Sequence, residues 1–379
     1  MQFTKVHNKW YYPPDIADDL RDVALPEAVK QETLACAWEY TRCIIPQYTN
    51  WSRYVAFMRT IIIGIIAEFR GNMVDVSAGD DLLGYDLGEV LDDLFLGTSA
   101  HKEMAREYRS FLLITADKTS GRRQGQLFTR YVRALAVSPG QWFRMRDSDS
   151  LSRFSFAAAL ACNDYDTLSL TDAQMEIISE IAITMYDATA FFKHRSEGET
   201  NNTFAYVPPS VRIEAFHQAR QVLWALDVAM AAKYDMHIIC NFVRFFGGPI
   251  HMMMRRYRYV EEGLTIGRSE THAVIEGARK NDKLWNRVDA GGNAVRDLQR
   301  FQSVLAQNDL LMFDGLAGFL QQDHGTCTDC KIKERNGAVG AYQFGGVQLC
   351  NSCGDEWEAY VKSLPERASA VFPELSGSV

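Results

Sequence analysis

The chain has 379 residues, of which 47% are hydrophobic and 23% charged, a composition typical of globular proteins with a large core. Its formal net charge of -8 argues against a nucleic-acid-binding protein, since such proteins usually present a basic face. The amino terminus lacks the apolar stretch of a signal peptide, and the most apolar run, residues 60–67, is far shorter than the ~20 residues that a membrane-spanning helix needs. We therefore expect no signal peptide and no stable membrane insertion.

Apolar residues recur at helical spacing through most of the first 320 residues. The predicted helices cover residues 25–47, 54–74, 101–116, 126–137, 150–162, 177–198 and 211–234. Gly247, Gly248 and Pro249 should break a further helix, and residues 265–320 should add two or three more. No run of alternating strands precedes residue 320, so we predict an all-α main body over residues 1–320 and a small module over residues 321–379.

Three oxygen-bearing side chains follow the apolar face of the second predicted helix. Glu68, Asn72 and Asp75 continue one stripe at steps of four and three residues, which places them on one helix face. Carboxylate and amide oxygens suit a hard cation such as Mg²⁺. The alternative is that these residues only cap and solvate the helix end.

Two arginines with aromatic neighbours lie between Trp142 and Asp147. Arg144 and Arg146 are spaced by one residue, and a guanidinium matches phosphate oxygens in fork geometry. The pair can therefore hold a phosphate group. Surface ion pairs explain the same residues equally well.

The stretch from Tyr186 to Asn202 is rich in charged and amide side chains. Asp187 and His194 share a helix face by their spacing, and Lys193 precedes His194. Gly198 is a plausible helix end. Carboxylate, amide and cation next to an apolar helix suit a metal-diphosphate site, whereas the alternative is a solvated polar helix end.

An arginine-rich segment follows at residues 251–259. Three arginines and two tyrosines lie within five residues there, and among them Arg256 and Tyr257 can neutralise and bind a diphosphate. The alternative is an arginine-rich helix paired with acidic neighbours such as Glu261 and Glu262.

Eight cysteines are present, and they fall into two groups. The first group is scattered and resembles small buried hydrophobic residues: Cys36, Cys43, Cys162 and Cys240. The second group forms two C-x-x-C pairs: Cys327, Cys330, Cys350 and Cys353. Four thiolates from two such pairs suit a closed, tetrahedral structural zinc site. We read residues 342–349 as a hairpin that leads into the second pair, and His324 as a much weaker fourth ligand. This usage of cysteine indicates a reducing compartment, so we expect a cytoplasmic protein.

Common signatures for nucleotide binding, metalloproteases and serine hydrolases are absent from the sequence. The stretch from Tyr186 to Asn202 instead resembles the second metal motif of class I terpene synthases, in which a metal-binding trio on a helix precedes a lysine and a glycine–acid pair. Lys193 and Gly198 fall at the matching spacing. The trio itself differs, because Tyr186, Ala190 and His194 stand at its places with Asp187 one residue on.

A second resemblance covers almost the whole chain. It rests on residues 10–17, 36–42, 66–71 and 242–258 and on the four clustered cysteines, whose strings look like those of fungal α-ionylideneethane synthases of abscisic acid pathways. This family is an atypical kind of sesquiterpene synthase. The resemblance implies a terpene synthase-like helical bundle, farnesyl diphosphate as substrate, (2Z,4E)-α-ionylideneethane as product and release of diphosphate, by a route through neutral farnesene-type polyenes.

The resemblance and the chemistry together assign roles to individual residues. Ionising an allylic diphosphate requires neutralisation of the leaving group by metal ions and guanidinium groups. The magnesium ligands would be Glu68, Asn72, Asp75 and Asp187. The diphosphate ligands would be Arg144, Lys193, Arg256 and Tyr257. His194 would relay a proton, since its ordinary pKa lies near working pH.

The carbocation needs an apolar, aromatic lining that excludes water. The candidates for this lining, each of which core packing explains as well, are Phe69, Phe191, Phe192, Phe245 and Trp224.

The main alternative is a helical scaffold without catalytic activity, whose zinc ribbon docks a protein or nucleic-acid partner. A chain-elongating prenyltransferase is a third reading, but it would need two intact aspartate-rich boxes. For the preferred reading we expect no nucleic-acid partner. The oligomeric state stays open, with a homodimer as one option.

Overall fold

The computed structural model describes residues 10–123, 125–135, 138–167, 170–197, 201–208, 210–253, 294–322, 327–332 and 347–377. Within these ranges the chain is mostly helical, which confirms the predicted all-α class. The helices of the first half are α1 (Glu27–Ile44), α2 (Trp51–Phe69), α3 (Leu87–Phe95), α4 (His101–Lys118), α5 (Gln126–Leu135), α6 (Pro139–Ser150), α7 (Ser152–Ala161) and α8 (Asp172–Glu197). Those of the second half are α9 (Val211–Ala229), α10 (Tyr234–Phe246), α11 (Ile250–Met253), α12 (Ala294–Ala306), α13 (Asn308–Leu311), α14 (Leu316–Gln321), α15 (Asn351–Lys362) and α16 (Leu364–Val371).

Strands are few and short in the described residues. β1 (Asp81–Leu82) pairs antiparallel with β2 (Tyr85–Asp86) in a tight turn before α3. β3 (Lys331–Ile332) pairs antiparallel with β4 (Val347–Gln348) and brings the two cysteine pairs together. The predicted hairpin at 342–349 therefore includes β4, but its first residues lie outside the described part of the chain.

Two long helices, α2 and α8, form the centre of the body. Almost every side chain of α2 from Tyr54 to Ala67 is buried, because α1, α3 and α4 pack around it. The middle of α8 is buried in the same way between α6, α9 and α10. Among the described residues, no helix combines the length and the apolar character that crossing a membrane requires.

Two predicted helix ends were wrong, and one helix was not predicted. The helix predicted over residues 54–74 ends at Phe69, and a 3-10 turn, Gly71–Met73, follows it. The reason is a close approach to the end of α4: a side-chain Cβ at Gly71 would lie 2.2 Å from the carbonyl oxygen of Ala116. Residues 139–150, which the periodicity left unassigned, form α6. The helix predicted to residue 234 ends at Ala229.

The break predicted at Gly247 is confirmed, because α10 ends at Phe246. Cys36, Cys43, Cys162 and Cys240 are all buried, as expected for small hydrophobic residues.

Candidate active site and metal centre

Asp187 is the centre of a buried polar network that joins α8 to α6 and to Thr203. Its side chain is fully buried and accepts hydrogen bonds from Nη2 and Nε of Arg146, at 2.8 and 3.3 Å. The backbone N–H and the hydroxyl of Thr203 donate to its Oδ2 atom, at 2.8 and 2.9 Å. Four donors thus occupy the carboxylate that was predicted to bind magnesium. A metal ion at Asp187 has to displace at least one of them.

Arg146 extends this network to α4. It donates to Asp149 at 2.6 Å, and Asp149 in turn accepts from Lys118 at 3.0 Å. Burial by itself would lower the pKa of Arg146, but Asp187 and Asp149 outweigh that effect and raise the pKa above its ordinary value. The ends of α4 and α6 therefore meet the middle of α8 through a continuous chain of ion pairs.

Arg144 has a different neighbourhood from Arg146, because residues two apart on a helix face different sides. Its guanidinium forms an ion pair with Glu107 of α4 and lies 3.7 Å from the ring centroid of Phe313. Glu107 is fully buried, and burial raises its pKa while Arg144 and Arg153 act in the opposite direction. The predicted diphosphate ligand is thus bound to a carboxylate in this structure.

The stripe of Glu68, Asn72 and Asp75 does not continue as a helix face, since α2 ends at Phe69. Glu68 is half-buried at that end, and Asn72 is exposed. Asp75 accepts hydrogen bonds from the backbone N–H and the hydroxyl of Ser77, at 3.2 and 2.6 Å. The three residues therefore do not form one helix face in this structure.

A second buried carboxylate beside this region had not been singled out from the sequence. Asp117 of α4 is fully buried and accepts hydrogen bonds from Arg122 at 2.7 Å and from Arg300 at 2.8 Å. Burial raises the pKa of Asp117 against the lowering effect of the two arginines. Both arginines also lie within 4 Å of Asp75, with N–O distances of 3.7 and 3.8 Å. No spacing in the sequence could link Arg300 to this site.

Lys193 and His194 are both buried at the end of α8. The side-chain amide of Asn202 donates to Nδ1 of His194 at 2.9 Å and to the backbone oxygen of Asp187 at 2.9 Å. An amide nitrogen can only donate, so Nδ1 of His194 is the acceptor and the ring proton of the neutral form lies on Nε2.

A second buried histidine, His251 of α11, lies close to this end of α8. Its ring centroid lies 4.5 Å from that of Tyr186, which itself lies 5.9 Å from His194. Burial, with a smaller effect of Lys193, lowers the pKa of His251 to about 3. From the sequence, His251 stood out only as the first residue of the arginine-rich segment, although a histidine two residues after a helix break was a usable signal.

The other predicted residues have mixed outcomes. Arg256, Tyr257 and the glycine–acid pair after α8 lie outside the described residues. Of the proposed pocket-lining residues, Phe191 is buried, whereas Trp224 is 53% exposed on α9 with Arg220 stacked on it. Trp224 therefore cannot line an internal pocket in this structure, and that prediction was wrong.

The four clustered cysteines form the one group of metal-ligating side chains that we find within the described residues. Their Sγ atoms all lie within 4.8 Å of one another, and those of Cys327 and Cys350 are 3.7 Å apart. Zinc with Zn–S bonds of about 2.3 Å in a tetrahedron requires S–S distances of about 3.8 Å. The geometry therefore fits zinc at a closed structural site.

The family model described as "Alpha-ionylideneethane synthase aba3" matches residues 8–374. Alpha-ionylideneethane synthase abl3 of Leptosphaeria maculans is 62% identical over 372 residues, covering 98% of this chain and 87% of that protein. Alpha-ionylideneethane synthase aba3 of Botryotinia fuckeliana strain B05.10 is 61% identical over 367 residues, covering 97% of this chain and 83% of that protein.

A further relative, alpha-ionylideneethane synthase abl3 of Pyricularia oryzae, is 51% identical over 434 residues and covers 98% of this chain and 84% of that protein. The match is thus nearly complete along the chain and includes both the α8 region and the clustered cysteines. The chain belongs to the alpha-ionylideneethane synthase family of enzymes.

Proposed function

We propose that this protein is a sesquiterpene synthase that converts farnesyl diphosphate to (2Z,4E)-α-ionylideneethane with release of diphosphate, in abscisic acid biosynthesis. The observation that carries the proposal is the 61–62% identity to two synthases of that name over 97–98% of the chain. By reaction type, the proposed enzyme is a carbon–oxygen lyase acting on phosphates. We assign it a terpene synthase-like helical fold. An all-helical body with an apolar centre supports this assignment. A cytoplasmic location remains a prediction from cysteine usage.

The charged groups supply the electrostatics that the reaction needs. Loss of diphosphate from an allylic substrate develops negative charge on the leaving oxygens, which cationic side chains stabilise most effectively where water is excluded. Lys193 is buried at the end of α8, so we assign it to the diphosphate together with Arg256 and Tyr257. Arg144 can bind the diphosphate only if its ion pair with Glu107 breaks. Its assignment therefore has the least support of the four.

The described carboxylates fit a protein-built magnesium cage poorly. Within the described residues, Glu68, Asp75 and Asp187 do not come together as a group of three metal ligands. Mg²⁺ usually takes only one or two carboxylates and completes its coordination with phosphate oxygens and water. We therefore assign any magnesium chiefly to the substrate diphosphate, with Glu68 or Asp75 as the protein ligand and Asp187 as a structural anchor of Arg146.

We assign His194 to proton transfer, because its neutral form carries the ring proton on Nε2 while Asn202 holds Nδ1. His194→Ala should reduce formation of the cyclic product at least tenfold, as expected for loss of a general acid or base. His217→Ala, on the exposed face of α9, is the matched control and should retain full turnover. Normal turnover and normal product from His194→Ala would remove His194 from the mechanism.

The proposed function is tested by incubating purified protein with farnesyl diphosphate, with Mg²⁺ or with EDTA, and analysing both hydrocarbons and released diphosphate. A cyclic C15 hydrocarbon formed only with Mg²⁺ supports the metal-assisted reaction. The same product in EDTA would still support an enzymatic function, and it would assign the stabilisation of the leaving group to the cationic side chains. Absence of hydrocarbon and of diphosphate release, from folded and zinc-loaded protein, would reject the proposal in favour of the scaffold.

A further inference from the structure

The cysteine cluster and the Asp187 network are connected by one helix. Cys350 is the residue that caps the N-terminus of α15, and Cys353 lies in its first turn. Trp357 follows Cys353 by four residues and so lies on the same face of α15, one turn further along. Two of the four clustered cysteines therefore lie at the start of the helix that carries Trp357.

Trp357 is the residue of α15 that packs against Trp142 and Tyr206 of the body. It is 1% exposed, and its ring centroid lies 5.6 Å from that of Trp142 on α6 and 4.9 Å from that of Tyr206. Trp142 and Tyr206 also contact each other, with a centroid distance of 4.5 Å. Three large rings that each touch the other two leave little freedom, since aromatic side chains in close-packed cores hold defined relative orientations.

Trp142 connects this aromatic cluster to Asp187. Its indole Nε1 donates to the hydroxyl oxygen of Thr203 at 3.1 Å, and that hydroxyl lies 2.9 Å from Oδ2 of Asp187. A threonine hydroxyl has a single proton, and the indole N–H can only donate. The indole therefore requires Thr203 to direct its proton at Asp187, and this completes the set of four donors that orient the carboxylate toward Arg146.

A separate contact holds the carboxyl-terminal helices independently of the cysteines. Arg367 of α16 donates to both carboxylate oxygens of Glu180 on α8, and the hydroxyl of Tyr360 also donates to Glu180. This ion pair docks α16 on the body even if the start of α15 loosens. Loss of order at the cysteine cluster should therefore affect only Trp357 and the residues in contact with it.

We propose that Trp357 is a positioning residue that transmits the order imposed by the four-cysteine metal site to Thr203 and Asp187. The cysteine cluster then has a role beyond holding the carboxyl terminus, because it keeps the donors of Asp187 in place. The structural coupling stands independently of the reaction, whereas its effect on turnover rests on the proposed function.

Hydrogen exchange tests the coupling without any assay of activity. The backbone N–H of Thr203 is bonded to Asp187, so its exchange rate reports that contact directly. Stripping the metal from the full-length protein with a chelator should accelerate exchange in peptides that cover residues 201–206 and 351–357 at least tenfold, and adding Zn²⁺ back should restore it. Peptides from the buried part of α2 serve as the control and should keep their protection. Unchanged exchange at residues 201–206, or loss of protection throughout α2, would overturn the proposal.

Variants test the effect on turnover. Trp357→Ala should lower kcat at least tenfold while the zinc content stays at one per chain, and Trp357→Phe should recover most of kcat because it retains a ring. Thr203→Val should cause a similar loss, and the double variant Trp357→Ala/Thr203→Val should be no worse than either single one, since both act through the same contact. Trp224→Ala is the matched control, because that tryptophan is exposed on α9.

Independent, multiplicative losses in the double variant, or a Trp357→Ala protein with kcat within twofold of the original, would overturn the positioning role. If Trp357→Ala does not fold, Trp357→Phe and the exchange experiment decide the question. Should the protein show no activity on farnesyl diphosphate at all, the proposed function fails, and the exchange experiment still tests the coupling.

Discussion

At the scale of single residues, the body is organised by carboxylates buried against arginines. Asp117, Glu107 and Asp187 are each at most 1% exposed, and each accepts from at least one guanidinium. A buried charge is tolerated only when a partner and hydrogen bonds compensate for its lost hydration. Removing one member of such a pair therefore costs far more than removing a surface charge.

Asp187→Asn tests this at the centre of the network. The side-chain amide places an N–H group where the carboxylate accepted hydrogen bonds, and it leaves the charge of Arg146 with Asp149 alone. We expect the free energy of unfolding, measured with urea, to fall by about 3–5 kcal/mol. Asp18→Asn is the control, because Asp18 and its partner Arg21 are largely exposed, and it should leave stability unchanged. Equal stability of both variants would contradict the pairing argument.

His251 makes a specific contribution to the pH dependence of stability. Its pKa is about 3 in the folded protein against an ordinary value of 6.5, because burial and the neighbouring Lys193 disfavour the charged ring. Between these two values the unfolded chain binds a proton that the folded chain does not. The contribution is therefore fully present above pH 6.5 and is lost as the pH falls toward 3, at up to about 1.4 kcal/mol per pH unit.

His251→Asn should flatten the stability profile between pH 6.5 and pH 5, measured as unfolding free energy at fixed ionic strength. His217→Asn, at an exposed position, should follow the original curve. The argument would be refuted by a His251→Asn profile as steep as that of the unmodified protein.

At the scale of secondary structure, close packing between the ends of two helices determines where α2 stops. The end of α2 lies against the end of α4, where the hydroxyl of Thr119 donates to the backbone oxygen of Ala67 at 2.5 Å. Gly71 has no side chain to separate them, and this close contact turns the chain out of its helix before Asn72. Two helix ends packed this closely tolerate no added volume.

Gly71→Ala should therefore destabilise the protein by about 1–3 kcal/mol, as expected for overpacking, since the new methyl group would meet backbone of α4. Gly318→Ala is the matched control within α14, where a Cβ has no atom within 4 Å. That change should be neutral or stabilise by up to about 1 kcal/mol. Thermal unfolding of the two variants side by side decides between these outcomes, and equal effects would contradict the packing argument.

At the scale of the whole molecule, the carboxyl-terminal helices share the core of the body. Trp357, Leu364 and Phe372 are buried in the same hydrophobic cluster as α2 and α8. Glu180 of α8 is compensated by Arg367 of α16, and burial raises its pKa against the lowering effect of that arginine. The boundary predicted at residue 321 stays a prediction, and the contacts across it lead us to expect that both parts unfold together.

Calorimetry of the zinc-loaded protein should accordingly show one unfolding transition. Arg367→Met should lower its midpoint, because Glu180 would lose its charged partner, and should leave the transition single. Lys362→Met on α15 is the control, since its ion pairs with Glu214 and Glu358 are partly exposed, and its midpoint should stay unchanged. Two resolved transitions in the unmodified protein would contradict a shared core.

Features that depend on local spacing could be predicted from the sequence. Helical periodicity predicted the all-α class, because amphipathic repeats report secondary structure directly. The two C-x-x-C pairs predicted the four-cysteine cluster, since a knuckle brings its two thiolates together within a few residues. Long matching strings indicated the family, which the comparisons confirmed.

The pairing of charged side chains, in contrast, could be seen only in the folded structure. Arg144 and Arg146 look equivalent in the sequence, yet one pairs with Glu107 and the other with Asp187, because helix geometry turns them to different sides. The partners of Asp117, Asp187 and Glu180 come from up to 187 residues away. Local spacing carries no information about such distant pairs, since they are set by how whole helices pack and by which buried charges then require compensation.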